Sequence, residues 1–379
     1  MSRPAVAHIR LDAFRHNYRV AKQQHAGNAL AVIKANAYGH GAIQCAKAID
    51  VEADGFAVAC LEEALELRQA GIKNPILLLE GFFEAAELPE IVANDLWIVV
   101  HAQWQIEILL VFKLVKPIHI WLKMDSGMHR LGFSPAEYIK AFHQLCGHEN
   151  IAKIVHISHF ANADDLSSNL SNQQMAVFQQ TFNQLNIASD SPAGISLANS
   201  AAILGWPNAQ ASWSRPGIML YGANPLTANA QNLIDAEANT LRPVMQLSST
   251  IISTREIKKG ESIGYGSIFT AQRDTTVGVV ACGYADGYPR LASIGNKNGQ
   301  PNLAAPAAVD GKLTQLIGRV SMDMLFVDLT DIPTAGIGSQ VELWGDLILV
   351  NDVARTANTI AYELFCNVKR VQFRYSDQL

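Results

Sequence analysis

The sequence predicts an α/β protein: an N-terminal (β/α)8 TIM-type barrel followed by a C-terminal, predominantly β domain. Short apolar β-type runs recur at 31–33, 55–59, 75–79, 96–100, 117–124, 154–158, 194–197 and 213–220. Stretches of helical composition, such as Leu61-Glu62-Glu63-Ala64-Leu65-Glu66-Leu67-Arg68, separate them. Eight such alternations suit a closed parallel barrel. After Ala236 the texture changes. Segments 244–257, 275–282, 306–309, 315–329 and 339–344 are rich in Val, Ile, Leu and Thr, punctuated by Gly, Asp and Pro, as in an all-β unit. A doubly wound open sheet is the alternative for the first part. No G-x-G-x-x-G opens a helix, which weakens its dinucleotide-binding form.

The expected domains are 1–235 and 236–379, with the first strand-like residues free to join the β domain. One helix, over 351–364, interrupts the second domain, with Asn351 and Asp352 as N-caps. A chain of 379 residues, 49% hydrophobic and 17% charged, has enough apolar material for two cores and is not disordered. The formal net charge of −5 points to neither nucleic acid nor an anionic membrane. No apolar run reaches spanning length, and the N-terminus lacks the apolar core of a signal peptide. Five scattered cysteines, Cys45, Cys60, Cys146, Cys282 and Cys366, suit reduced thiols in the cytoplasm rather than disulfides or zinc. His156 and His159 fall in one β-type run, where residues three apart face opposite ways, so no shared metal is expected.

The chemistry concentrates where barrel strands should end. Lys34 closes the first run in Ala31-Val32-Ile33-Lys34-Ala35-Asn36-Ala37-Tyr38-Gly39-His40-Gly41. An amine on the edge of a buried core suits Schiff-base chemistry, because burial disfavours the ammonium form. Position alone equally allows a lysine snorkelling into water. Arg130, in Lys123-Met124-Asp125-Ser126-Gly127-Met128-His129-Arg130-Leu131-Gly132, has the fork geometry that takes a small carboxylate, although an isolated arginine is more often a surface residue. Asn199-Ser200-Ala201-Ala202 and Arg215-Pro216-Gly217-Ile218 offer N–H groups and a hydroxyl to a phosphate, or merely cap loops. Tyr265 stands between glycines in Gly264-Tyr265-Gly266-Ser267. A free phenol, with a pKa of about 10, needs cationic or hydrogen-bonding help to act as a base near neutral pH.

These segments, in this order and across both domains, resemble the alanine racemase family of fold-type III pyridoxal 5′-phosphate (PLP) enzymes. The likeness runs from the N-terminal segment to about Arg374. It implies a PLP-dependent isomerase that interconverts L- and D-alanine with two bases. Such an enzyme supplies D-alanine for peptidoglycan or serves alanine catabolism. Lys34 would carry the cofactor and serve the D-alanine face, and Tyr265 the L-alanine face. Tyr38, Ser200, Gly217, Ile218 and Tyr362 would hold the phosphate. Arg215 would donate to the pyridine nitrogen and keep it unprotonated, since guanidinium cannot readily accept. Arg130 and the Met322 N–H, in Gly318-Arg319-Val320-Ser321-Met322-Asp323, would clamp the substrate carboxylate. Lys123 matches a lysine that is carbamylated in many members and holds that arginine. His159 would link Arg215 to the tyrosine base. Tyr284, in Gly283-Tyr284-Ala285-Asp286-Gly287-Tyr288, would stand near the substrate entrance. The resemblance further implies a head-to-tail homodimer in which Tyr265 and Met322 complete the partner's site.

Two positions depart from the family pattern, Ser321 where some members have cysteine and His129 where some have glycine. A serine or broader-range racemase is the nearest alternative. A fold-type III decarboxylase usually places an acid at the ring nitrogen, against Arg215. A non-enzymatic PLP-binding protein generally lacks the β domain.

Overall fold

The computed structural model describes residues 3–185, 187, 194–227, 241–293 and 304–377. After strand β1 (Val6–Arg10) come β2 (Asn28–Val32), β3 (Gly55–Val58), β4 (Ile76–Leu78), β5 (Leu96–Val100), β6 (Ile118–Lys123), β7 (Ile151–Ile157), β8 (Gly194–Asn199) and β9 (Trp213–Arg215). Strands β2 to β9 form the expected closed parallel barrel, shut where Ala29 of β2 pairs with Ser214 of β9. Their near-continuous apolar sequences follow from burial on both faces: β3 reads Gly-Phe-Ala-Val and is buried throughout, as parallel strands under helices must be. Trp97, Trp121 and Trp213 fill the interior. Trp213 lies 5.7 Å, centroid to centroid, from both of the others, although β5 and β9 stand on opposite sides of the barrel. The barrel floor is therefore packed, and only the mouth at the strand C-termini is left for chemistry.

Beyond the barrel lie β10 (Met245–Ile257), β11 (Ser262–Ile263), β12 (Phe269–Thr270), β13 (Thr275–Val280), β14 (Pro306–Val309), β15 (Lys312–Gln315), β16 (Leu325–Asp328), β17 (Gln340–Trp344) and β18 (Gln372–Ser376). All but the β11–β12 hairpin join β1 in one sheet, with the path β15-β14-β17-β10-β1-β18 and with β13 and β16 branching from β10. The N-terminal strand β1 is clamped in this sheet, antiparallel to β10 and parallel to β18. The expected domain boundary at 235/236 lies outside the described residues.

Two expectations need correction. The single helix over 351–364 is two, Val350–Thr356 and Ala361–Asn367, because Asn358 takes a left-handed φ of +54° between them. The N-cap is Leu349 and supplies no side-chain bond. Asn351 instead donates to the Asn224 carbonyl at 3.0 Å, and Asp352 pairs with Arg355 one turn on. Among the described residues, no helix is long and apolar enough to cross a membrane, and all five cysteines are free.

Candidate active site

A cavity of about 460 Å³ opens at the barrel mouth. It is lined by Lys34, Tyr38, Lys123, Arg130, His159, Ser200, Arg215, Gly217, Ile218 and Tyr362. The ends of β2, β6, β7, β8 and β9 thus bring together residues from Lys34 to Ile218, and the helix Ala361–Asn367 adds Tyr362. The lining carries the cations Lys34, Lys123, Arg130 and Arg215 against one carboxylate, Glu80. That imbalance suits anionic ligands.

Lys34 is aimed by an unusual turn. Ala35, Asn36, Ala37 and Tyr38 all adopt left-handed helical angles, with φ between +49° and +54°. For non-glycine residues this hand costs about 1–2 kcal/mol each, so the surroundings must impose it. Glu63 accepts the Ala35 and Ala59 N–H groups, both at 2.7 Å. Ala37 N–H donates to the Ile33 carbonyl at 2.8 Å. Buried His40 holds the far end, its Nδ1 being 3.1 Å from the Ala37 carbonyl and 3.0 Å from that of Tyr38. Both partners are acceptors, so Nδ1 carries the proton, and burial pushes the imidazole pKa down to about 4. Gly39, at φ +78°, has Phe365 O only 2.3 Å from where a Cβ would stand, so the turn can leave only through glycine.

Arg215 is buried beneath the cavity. Nη1 donates to the carbonyl and hydroxyl of Ser196, and Nη2 to the Ser158 carbonyl at 2.7 Å. Burial pushes its pKa down to about 9, which leaves it cationic at neutral pH. Nη2 also lies 3.3 Å from His159 Nδ1. Guanidinium only donates, so His159 Nδ1 accepts and its proton sits on Nε2. Burial, then Arg215, Lys123, Arg130 and Lys34, hold this imidazole well below its ordinary pKa and keep it neutral. His156 points away, with Nδ1 on the Tyr138 hydroxyl. Among the described residues, no group of three or more His, Cys, Asp or Glu could hold a metal.

The two loops expected to take a phosphate meet. Ser200 Oγ accepts the Gly217 N–H at 2.8 Å and the Met219 N–H at 3.4 Å, leaving its own proton for a ligand. Ile218 opens a short 3-10 turn (Ile218–Tyr221), so its N–H has no partner within that turn. A Cβ on Gly217 would sit 2.9 Å from the Tyr38 hydroxyl; glycine there lets the phenol reach the same spot.

Arg130 is exposed at the rim, on a loop tied by Asp125. Asp125 Oδ1 accepts the N–H groups of Gly127, Met128 and His129 at 3.0–3.1 Å. His129 has φ +57°, a conformation glycine adopts freely, and its Nδ1 rests 3.1 Å from Asp125 Oδ2. Lys123 is buried behind it. Burial, and then the Arg215, Arg130 and Lys34 cations, push its pKa down to about 8.

Tyr265, Met322 and Tyr284 do not line this cavity. Tyr265, between β11 and β12, is 70% exposed and Met322 53%. The Met322 N–H has no acceptor among the described residues. Tyr284 lines a separate cleft with Arg290 and Glu363. Nothing in the sequence marks Glu63, Glu80 or Asp125 for a role, since none carries a motif of its own.

A family model for the alanine racemase N-terminal domain matches residues 9–225, and one for the alanine racemase C-terminal domain matches residues 244–375. The chain belongs to the alanine racemase family. An alanine racemase of Pseudomonas taetrolens is 55% identical over 373 residues, 98% of this chain and 99% of that protein. A catabolic alanine racemase of Pseudomonas putida is 54% identical over 373 residues, again 98% of this chain and 99% of that protein. The crystal structure of a biosynthetic alanine racemase from Pseudomonas aeruginosa superposes with a TM-score of 0.90 at 46% identity, covering 99% of each chain. The alanine racemase of Acinetobacter baumannii gives 0.88 at 38% identity, covering 99% of this chain and 100% of that one. The fold is that of the alanine racemases, and the chain is an enzyme of the isomerase class. Alanine racemases depend on PLP.

Proposed function

We propose that this enzyme interconverts L- and D-alanine with Lys34 and Tyr265 as bases on opposite faces of the substrate. One observation carries the reading: a cation-lined barrel mouth holds Lys34, while Tyr265 stands outside it, exposed on the β domain. The mouth fits PLP. Ser200, Gly217, Ile218, Tyr38 and Tyr362 would hold the phosphate. Among the described residues none accepts from the Arg215 Nε–H, which is free to donate to the ring nitrogen. When bound, the cofactor withdraws electrons from the substrate and acidifies its Cα–H.

The residues of the chain do the rest. Arg130 and the Met322 N–H hold the carboxylate, which fixes the direction of the Cα–H bond. Lys34 moves a proton at Cα on the D-alanine face. Tyr265 moves one on the L-alanine face, since a proton returned to its original face gives no inversion. Neutral His159, its Nδ1 taken by Arg215, presents an Nε2–H to the oxygen of Tyr265. Tyr362 narrows the pocket to a small side chain. Tyr284 guards the entrance.

Tyr265 and Met322 lie outside the Lys34 cavity of their own chain, which supports a head-to-tail homodimer in which they complete the partner's cavity. Free cysteines, with Cys146 and Cys366 exposed, suit the cytoplasm. D-Alanine supply to peptidoglycan and alanine catabolism both use this reaction. The test is racemisation of alanine against serine by purified protein with added PLP. Alanine turnover with little serine turnover is expected; no alanine turnover would end the reading.

Lys123 gives a pH-dependent check. Its amine predominates above about pH 8, and only the amine adds CO₂. Carbamate at Lys123 is therefore expected to rise as pH climbs through 8 at fixed dissolved CO₂. Carbon-13 NMR with labelled CO₂ reads it directly. No carbamate at any pH would leave Lys123 unmodified beside Arg130.

A further inference from the structure

Asp286 has no part in the proposed proton transfers, yet it is a fully buried carboxylate in the β domain. Its Oδ2 accepts from Arg3 at 2.5 Å and from the Gly283 N–H at 3.0 Å. Arg370 Nε lies 3.8 Å from Oδ1. Both arginines also reach Asp323 Oδ1, Arg370 at 2.8 Å and Arg3 at 3.4 Å. Two arginines and two carboxylates thereby join the N-terminal segment, the turn at 283–288, the loop at 321–324 and the segment before β18.

The turn and the loop are also locked backbone to backbone. Tyr284 N–H donates to the Ser321 carbonyl at 3.0 Å, and Ala285 N–H to the Met322 carbonyl at 2.9 Å. Any Cβ on Gly283 would stand 2.4 Å from both of those carbonyl oxygens, so the two strands of backbone lie in contact. The Ser321 carbonyl and the Met322 N–H belong to one planar trans peptide and point in opposite directions. Holding the carbonyl therefore aims the N–H.

We propose that Asp286, with Arg3 and Arg370, is a positioning residue for carboxylate binding. It fixes the turn whose Tyr284 N–H holds the Ser321 carbonyl, and so keeps the Met322 N–H pointed at the partner's cavity. The proposal rests on the reading that this N–H binds the alanine carboxylate. Asp286 touches neither substrate nor cofactor, so its main effect is on carboxylate affinity, with Arg130 still fixing the direction of the Cα–H bond.

The test uses PLP-loaded enzyme carrying Asp286→Asn, which keeps the size and removes the charge. Dissociation constants for alanine and for alaninol, which lacks the carboxylate, are read from the cofactor absorbance, together with kcat and KM. Alanine affinity is expected to fall about tenfold, as for one misaligned charge-assisted hydrogen bond. Alaninol affinity should hold, and kcat should stay within about threefold. Equal losses for both ligands, as from general loosening, or an unchanged alanine affinity would overturn the proposal. Met322→Pro separates it from the reading beneath it, because it deletes an N–H that bonds nothing else among the described residues. If that variant keeps its preference for alanine over alaninol, the carboxylate reading itself fails. If it loses the preference and Asp286→Asn does not, the positioning role alone falls. Should Asp286→Asn not fold, Asp323→Asn and Arg370→Met, at the exposed end of the network, must show the same carboxylate-selective loss or the proposal is overturned.

Discussion

Replacing Lys34 by alanine is expected to lower alanine racemisation by at least about 10⁴-fold, because in the proposed mechanism one side chain supplies both the cofactor anchor and a base. The loss should appear in both directions. Lys34 lines a cavity whose other cations, Lys123, Arg130 and Arg215, have separate tasks and cannot stand in for it. Lys123 is buried behind Arg130, and Arg215 is bonded to Ser158 and Ser196. Borohydride reduction of the wild-type enzyme followed by peptide mass analysis should add the mass of the reduced cofactor at Lys34 alone. Adduct on another lysine, or appreciable turnover by Lys34→Ala, would remove Lys34 from the mechanism.

Tyr265→Phe is expected to slow racemisation by roughly 10²–10⁴-fold, the usual worth of a positioned general base. The damage should be lopsided: solvent hydrogen exchange at Cα of L-alanine should collapse while exchange from D-alanine, served by Lys34, largely survives. Equal losses from the two enantiomers would contradict the two-face assignment. The same variant tests the shared site. Lys34→Ala and Tyr265→Phe proteins, each nearly inactive, can be unfolded together and refolded. If Tyr265 serves the partner, a mixed dimer has one doubly altered site and one intact site. Half the dimers being mixed, about a quarter of wild-type activity should return. No recovery would place Tyr265 and Lys34 in the same subunit.

The barrel was legible because parallel strands buried on both faces read as unbroken apolar runs, and eight of them alternate with helical stretches. Lys34, Ser200, Arg215 and Gly217 were legible because each sits in a short motif at a strand end, where the fold collects chemistry. The left-handed turn was not. Ala35-Asn36-Ala37-Tyr38 contains no glycine, and local propensity argues against that conformation at every position but Asn36. What enforces it is Glu63, which reads as one acid among several on an ordinary helix, and His40, whose pattern is that of a core residue. The break at Asn358 was hidden for a similar reason, since residues 351–364 have helical composition on either side of it. Tyr265 and Met322 were found through motifs alone. In one chain they lie on an exposed surface, and nothing in their surroundings announces a catalytic site.

The turn that aims Lys34 also dates the site in the folding sequence. A right-handed helix can flicker into existence in an unfolded chain, because its residues favour it. Four consecutive left-handed residues cannot, since all but Asn36 oppose their own preference until the Glu63 carboxylate and the His40 imidazole are in place. Lys34 therefore acquires its direction only after β2, β3 and the helix following β3 have docked. Pulse-labelled hydrogen exchange during refolding should show the Ala35 and Ala37 amides gaining protection after those of β2 and β3. Protection arising together with the strands would mean that the turn is an early feature of the chain.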